Sequence, residues 1–462
     1  MLDRGEMKVS EKTVAAISTP KGQGGIAIVR ISGEEAIAVA DKCFESLSGR
    51  KIAELSGYSA LFGKVKESSG AAIDEAVALL FRAPKSYTGE NVVELSVHGG
   101  IVPARECLKA VYAAGAYPAG AGEFTKRAFL NGKIDLSNAE GVMEIIGARS
   151  AAALSIARGA KEGKISREID NITEKMLLAA SGIAAYSDFP DEDIEGLDFE
   201  HFSASLKECE EALSRLLSTF EGGQAVLSGV PTAIVGKPNV GKSTLMNMLS
   251  REERSIVTDK AGTTRDIVET AVLAGDISLI LSDTAGIRDT EDEIEQIGVD
   301  RAVKKLNTAA LVLAVFDLSS PLDNEDEKLL SLIKDKRVIA VLNKSDLPMA
   351  ADLSRFDGFN TVSVAAKEGK GLDKLIEKIA EVCGADKLTG DEAVLLNERQ
   401  YSCVLRAKEA ITQAKKDLLS GVTLDAVGVL IDDALNALLE LSGKRASEDV
   451  VEEIFKNFCI GK

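Results

Sequence analysis

The run Gly236-Lys237-Pro238-Asn239-Val240-Gly241-Lys242-Ser243 matches the spacing of a phosphate-binding loop. It follows the apolar run Thr232–Val235 and precedes the helical pattern Thr244–Leu249, the context such a loop requires. Glycines let backbone N–H groups from Asn239 through Thr244 wrap a β-phosphate. Lys242 reaches β and γ oxygens, Ser243 offers a hydroxyl to Mg²⁺, and the helix dipole favours the anion. Asn343-Lys344-Ser345-Asp346 follows the apolar run Val338–Leu342. The Asp346 carboxylate can accept from guanine N1–H and the 2-amino group, and Lys344 can lie along the base plane. Adenine lacks that donor pair and would leave the carboxylate unsatisfied, so the combination points to GTP. Ala365-Ala366-Lys367 fills the place of a Ser-Ala-Lys base loop, with the Ala366 N–H offered to guanine O6.

Two further segments complete this chemistry. Asp283-Thr284-Ala285-Gly286 follows the run Ile277–Leu281; Asp283 would hold Mg²⁺ through water and the Gly286 N–H would sense the γ-phosphate. Gly262-Thr263-Thr264-Arg265-Asp266 reads as a switch segment, with Thr264 as the second Mg²⁺ ligand. Ras-like enzymes carry a water-orienting Gln after the D-T-A-G segment. Ile287 stands there and cannot orient water; Asp289, Glu291, Asp292, Glu293 and Glu295 follow, and the residues alone do not choose among them.

Composition restricts the rest. A chain of 462 residues suits about three domains. Lys and Arg total 55 against 73 Asp and Glu, so the formal net charge of −18 argues against a protein that coats nucleic acid through a basic surface. Two His and six scattered Cys argue against a multi-His metal centre, a zinc site and a disulfide framework. Trp is absent and aromatics make up 4%, so no base-stacking surface is advertised. No signal segment and no run of about 18 apolar residues is present, which predicts a cytoplasmic protein.

The elements that must position these residues change character along the chain. Residues 1–131 read as α+β, with β-prone runs at Val14–Ile17, Ile26–Ile31, Tyr58–Val65, Ala76–Phe81 and Val92–Val97 and helical patterns at Glu34–Phe44 and Pro103–Ala114. Gly22, Gly24 and Gly25 open a strand, not a helix, so they are no dinucleotide fingerprint. Residues 132–225 are helical, with an acidic break at Asp188–Asp198. Residues 226–387 alternate short buried strands (Ala233–Val235, Ile277–Leu281, Leu311–Phe316, Val338–Leu342, Thr361–Val364) with helices, the mark of a mainly parallel sheet. Residues 388–462 return to helix: apolar residues recur from Tyr401 to Leu418 and from Leu424 to Leu438 at steps of three and four. The predicted architecture is multidomain: an α+β domain, then a discontinuous α-helical domain carrying an inserted α/β P-loop domain.

At this point the sequence resembles the MnmE (TrmE) family of bacterial tRNA-modification GTPases over essentially its whole length. The resemblance rests on Thr13–Gly33 (TVAAISTPKGQGGIAIVRISG), Ser86–Gly100 (SYTGENVVELSVHGG), Gly122–Glu140 (GEFTKRAFLNGKIDLSNAE), Ser255–Asp266 (SIVTDKAGTTRD) and the terminal Phe458–Lys462 (FCIGK). It implies an N-terminal domain similar to folate-binding aminomethyltransferases that forms a homodimer and binds 5-formyl- or 5,10-methylene-tetrahydrofolate through Arg30, Glu94, Lys133 and Lys462. Without the resemblance, Arg30, Glu94 and Lys133 read as surface charges. It implies K⁺ in place of an arginine finger, held by Asn239, Thr258, Lys260 and Thr263, within a nucleotide-binding loop that also includes Asp259 and Ala261. It maps the catalytic carboxylate to Glu295, with Glu293 its nearest rival. It implies a heterotetramer with the flavoprotein MnmG (GidA), which carries FAD, to place an aminomethyl or carboxymethylaminomethyl group on C5 of the tRNA wobble uridine. A ribosome-assembly GTPase would share the GTPase motifs but not the N-terminal and C-terminal stretches. A stand-alone folate-dependent methyltransferase would need no flavoprotein.

Three smaller expectations remain. Cys459, beside Phe455 and Phe458, reads as packed; His98 reads as a turn or core residue. Lys126, Arg127, Lys133, Lys444, Arg445 and Lys456 are the candidate cationic patch for tRNA.

Overall fold

A computed structural model describes residues 11–188, 199–250, 270–281, 306, 308–388 and 390–462. The chain divides into two compact units, one of residues 1–143, 166–210 and 406–462, the other of residues 144–165 and 211–405.

The first unit holds a sheet of seven strands: β1 (Val14–Ile17), β2 (Ile26–Ser32), β3 (Phe44–Ser46), β4 (Ser59–Lys66), β5 (Ala72–Phe81), β6 (Val92–His98) and β7 (Tyr117–Pro118), in the order β3-β4-β5-β6-β2-β1-β7. Strand side chains alternate between faces. Ala27, Val29 and Ile31 of β2 and Val93, Leu95 and Val97 of β6 therefore share one face, which packs on the helices Ala36–Cys43 and Ile101–Ala113. Arg30 and Glu94, opposite one another in the β2–β6 register, lie on the other face. The strands foreseen at Val14–Ile17, Ile26–Ile31 and Val92–Val97 are present, while β5 starts at Ala72 instead of Ala76. Asp74 and Glu75 hide that extension from an apolar pattern, but their backbone pairs with β4.

Helical stretches of the same unit follow apolar periodicity. Val427, Ile431, Ala434, Leu435 and Leu438 are buried along the helix Leu424–Ser442. Phe129, Leu136, Val451, Phe455 and Phe458 form a separate small core.

The second unit contains β8 (Val230–Val235), β9 (Thr270–Ala274), β10 (Ile277–Leu281), β11 (Leu311–Asp317), β12 (Val338–Asn343) and β13 (Asn360–Ser363), in the order β13-β12-β11-β8-β10-β9. All pairings are parallel except β9 with β10. Every residue of β12 is buried, as expected for a strand covered on both faces. Ligands of such sheets sit beyond the carboxyl ends of the strands, and Gly236, Asp317, Asn343 and Val364 all lie at those ends.

Phe316 is fully buried and meets Phe356 edge-to-face at 5.0 Å. Phe316→Ala should cost about 3–5 kcal/mol in urea unfolding, whereas Leu419→Ala, at a position 75% exposed, should stay within about 0.5 kcal/mol. Equal effects would contradict this core assignment.

Candidate functional site

The loop between β8 and the helix Lys242–Ser250 is fixed by what surrounds it. At Gly236, φ is 148° and an added Cβ would lie 2.4 Å from the Val315 carbonyl oxygen. At Gly241, φ is 100° and an added Cβ would lie 2.2 Å from Asn343 Nδ2. Both positions require glycine. Asn239 is exposed and takes a left-handed φ of 61°, and Val240 is buried as a plug beneath the loop. Lys242 Nζ donates to the Gly236 carbonyl at 2.9 Å and the Lys237 carbonyl at 2.6 Å. Burial lowers the Lys242 pKa, because the ammonium has lost water. An anionic phosphate would restore that lost solvation. Ser243 and Thr244 are exposed in the first turn of the helix, where N–H groups and the dipole favour anions. The loop therefore fits a phosphate chain, and the Ser243 hydroxyl fits a hard cation beside it.

Asn343, the last residue of β12, ties this loop to the base loop. Its buried Nδ2 donates to the Val240 carbonyl at 2.8 Å, and its Oδ1 accepts from the Ala366 N–H at 3.1 Å. The N–H foreseen for guanine O6 thus donates here to the Asn343 amide oxygen. Ala365 is buried, with its N–H on the Lys370 carbonyl at 3.0 Å, so the missing serine hydroxyl leaves no gap in this turn. Asp346 and Lys367 are exposed beyond it. Lys344 adopts φ 61° and pairs with Asp317 at 2.5 Å. Asp317 was missed in the sequence; a carboxylate ending a parallel strand was the available signal. Lys237 pairs with Asp323 at 2.7 Å and with the buried Asp326 at 2.6 Å.

Thr258, Asp259, Lys260, Ala261, Gly262, Thr263, Thr264, Asp283, Thr284, Ala285, Gly286, Ile287, Asp289, Glu291, Asp292, Glu293 and Glu295 lie outside the described residues, as does most of the acidic break.

The first unit brings together a second set. Arg30 Nε donates to Glu94 Oε1 at 2.8 Å and Nη1 to the Gly461 carbonyl at 3.4 Å, while the guanidinium lies 5.5 Å from the Phe124 ring centroid. Lys462 joins through its backbone, its carbonyl accepting from the Phe124 N–H at 3.1 Å. Lys133 is tied elsewhere, donating to the Pro84 carbonyl at 3.0 Å. The Tyr87 hydroxyl meets Thr125 Oγ1 at 2.9 Å; burial raises its pKa, offset in part by that bond and by Arg30. Phe124 and Tyr87 carried no sequence signal beyond sitting in the family stretches.

The proposed cationic patch is corrected in part. Arg127 is 1% exposed and donates to Glu123, to both oxygens of Glu90 and to the Lys12 carbonyl. It is an internal brace. Lys444 pairs with Asp170 at 2.6 Å and Lys456 with Glu453 at 3.4 Å, so acids already answer these cations. Cys459 is exposed, contrary to expectation, because the apolar contacts are made by Phe455 and Phe458. His98 is an exposed strand end bonded to Asp74 at 2.7 Å, and that carboxylate raises the imidazole pKa.

The family model "GTP-binding protein TrmE N-terminus" matches residues 13–133, and "MnmE helical domain" matches residues 136–459. Three relatives named tRNA modification GTPase MnmE are similar throughout. That of Syntrophomonas wolfei is 41% identical over 97% of this chain and 99% of its own. Those of Moorella thermoacetica, 40% identical, and Natranaerobius thermophilus, 37%, each cover 98% of this chain and 100% of their own. The chain belongs to the MnmE family. As in that family, its architecture is multidomain: an α+β N-terminal domain and a helical domain interrupted by an α/β P-loop GTPase domain.

Two substitutions test the site. Gly241→Ala should displace Asn343 and weaken guanine-nucleotide binding at least about tenfold; unchanged titration curves would contradict the cradle. Arg127→Met should destabilise the first unit by about 3–5 kcal/mol, since Glu90 and Glu123 lose their shared partner; a thermal scan showing no shift would contradict the buried brace.

Proposed function

We propose that this chain, a GTP-hydrolysing enzyme of tRNA modification, works with a flavoprotein partner on C5 of the wobble uridine. The observation that carries the nucleotide reading is the Asn343 amide, which holds the phosphate loop by Val240 and the base loop by Ala366 while leaving Asp346 exposed beyond them. Asn239, Val240, Gly241, Lys242, Ser243 and Thr244 bind the phosphates, and Asp346 selects guanine by accepting its two donors. Lys344 flanks the base, and Ala365, Ala366 and Lys367 shape the loop beside it. The segment from Thr258 to Thr264 and the residues Asp283, Thr284, Ala285 and Gly286 would supply the remaining nucleotide contacts, those of the D-T-A-G segment to Mg²⁺ and the γ-phosphate. Ser243 and Thr264 would ligate Mg²⁺; Asn239, Thr258, Lys260 and Thr263 would hold K⁺. When bound, these ions supply positive charge beside oxygens that become more negative in the transition state. Glu295 orients the attacking water, a task Ile287 cannot perform.

Arg30 and Glu94, paired at 2.8 Å, would meet the same end of a tetrahydrofolate. The Glu94 carboxylate suits the pterin donor edge, and the cations Lys133 and Lys462 suit the glutamyl carboxylates. The cofactor, when bound, supplies the one-carbon unit, and the partner's FAD supplies redox chemistry. The same proposal includes a homodimer, a heterotetramer with MnmG, and domains at 1–131, 132–225 with 388–462, and 226–387. It also places the protein in the cytoplasm. No helix among the described residues is long and apolar enough to cross a membrane.

GTP turnover should rise many-fold in KCl over NaCl; equal rates would remove K⁺ from the account. Asp346→Asn should shift preference from guanosine to xanthosine nucleotides in competition binding, and retained GTP preference would overturn the guanine reading. Glu295→Ala should abolish turnover with GTP affinity nearly unchanged; a parallel loss of affinity would make Glu295 structural.

A further inference from the structure

Asp317 stands at the end of β11, and its two carboxylate oxygens have separate partners. Oδ1 accepts from the Ser319 N–H at 2.9 Å and from Ser319 Oγ at 2.6 Å, closing the turn that follows the strand. Oδ2 accepts from Lys344 Nζ at 2.5 Å, across 27 positions of sequence. Burial pushes the Asp317 carboxyl up, but these bonds from Lys344 and Ser319 outweigh it and hold it below the ordinary Asp value.

The lysine it meets is under constraint. Lys344 sits at φ 61°, a region that a lysine rarely adopts. The peptides around it are pinned: the Asn343 carbonyl accepts from the Leu318 N–H at 3.0 Å and the Lys344 carbonyl from the Leu347 N–H at 3.0 Å. With its backbone fixed at one end and its ammonium fixed at the other, the four-carbon stem has few rotamers left.

We infer that Asp317 is a positioning residue of the nucleotide site, holding the Lys344 stem straight so that it forms one wall for the guanine ring. This rests on the guanine reading above and adds to it a residue not named there. The sign of the effect is distinctive. A carboxylate near a nucleotide phosphate chain repels it, so electrostatics alone makes removal of the Asp317 charge favourable for binding. Positioning makes removal unfavourable, because free rotation of the Lys344 stem must then be frozen at each binding event.

The test is titration of the full chain with fluorescent GDP and, in competition, with inosine diphosphate. Asp317→Asn keeps the acceptor for Ser319 and turns an amide donor toward Lys344. GDP affinity should fall about tenfold, with the melting temperature of the nucleotide-free chain unchanged. The GDP to inosine diphosphate ratio should also stay constant, because the stem meets the ring face and not the 2-amino group. In a Lys344→Met background the same substitution should have no further effect. Asp317→Glu, which keeps the charge and moves it by one methylene, should lose several-fold in affinity, and it carries the test if Asp317→Asn does not fold. Tighter or unchanged GDP binding in both variants, or an undiminished effect in the Lys344→Met background, would overturn the inference. Failure of the unsubstituted chain to bind GDP would instead overturn the guanine reading.

Discussion

The nucleotide site depends on one buried amide. Asn343 emerges from a strand with no exposed residue and spends both ends of its side chain on backbone, Val240 on one side and Ala366 on the other. The side-chain amide carries a separate donor and acceptor on a single carbon, so it can join a carbonyl to an N–H. Because both partners are buried, losing it leaves two backbone groups unsatisfied. The close fit of Gly241 against Asn343 Nδ2 is the steric side of the same constraint. The phosphate loop and the loop proposed to meet the base are thus joined by one rigid contact at the carboxyl ends of parallel strands.

Charge is handled differently in the two units, though each pairs its cations. At the proposed nucleotide site Lys237 is held by Asp323 and Asp326, and Lys344 by Asp317, whereas Lys242 of the phosphate loop rests on two carbonyls and is suited to meet an anion. In the α+β unit Arg127 is consumed by Glu90 and Glu123, while Arg30 is shared between Glu94 and a backbone carbonyl. A net charge of −18 is therefore compatible with anion binding wherever a single cation is placed with care.

Much of this was legible in the sequence where chemistry demands fixed residues at fixed spacing. The phosphate loop and the Asn343–Asp346 segment follow from that alone, and the strands Val14–Ile17 and Ile277–Leu281 match end to end. Short strands such as Phe44–Ser46 and Tyr117–Pro118 were not legible, because two or three residues carry no periodicity. Thr270–Ala274 was missed for a similar reason; its partner in the hairpin, not its own composition, makes it a strand. Contacts distant in sequence stayed hidden: Asp317 with Lys344, and Arg30 with Gly461. Arg127 was misread as a surface cation, although Glu123 one helical turn earlier offered an internal partner. Arg30 and Glu94 read as surface charges until the family stretches around them were considered together.

The most direct test of the central claim is the affinity of Asn343→Ala for GDP, measured by calorimetric titration beside the unsubstituted chain and with ADP as control. The unsubstituted chain should bind GDP and not ADP, and the variant should lose GDP binding by at least about a hundredfold, since both loops lose their common anchor. An Asn343→Ala chain that binds GDP as tightly as before would contradict the account.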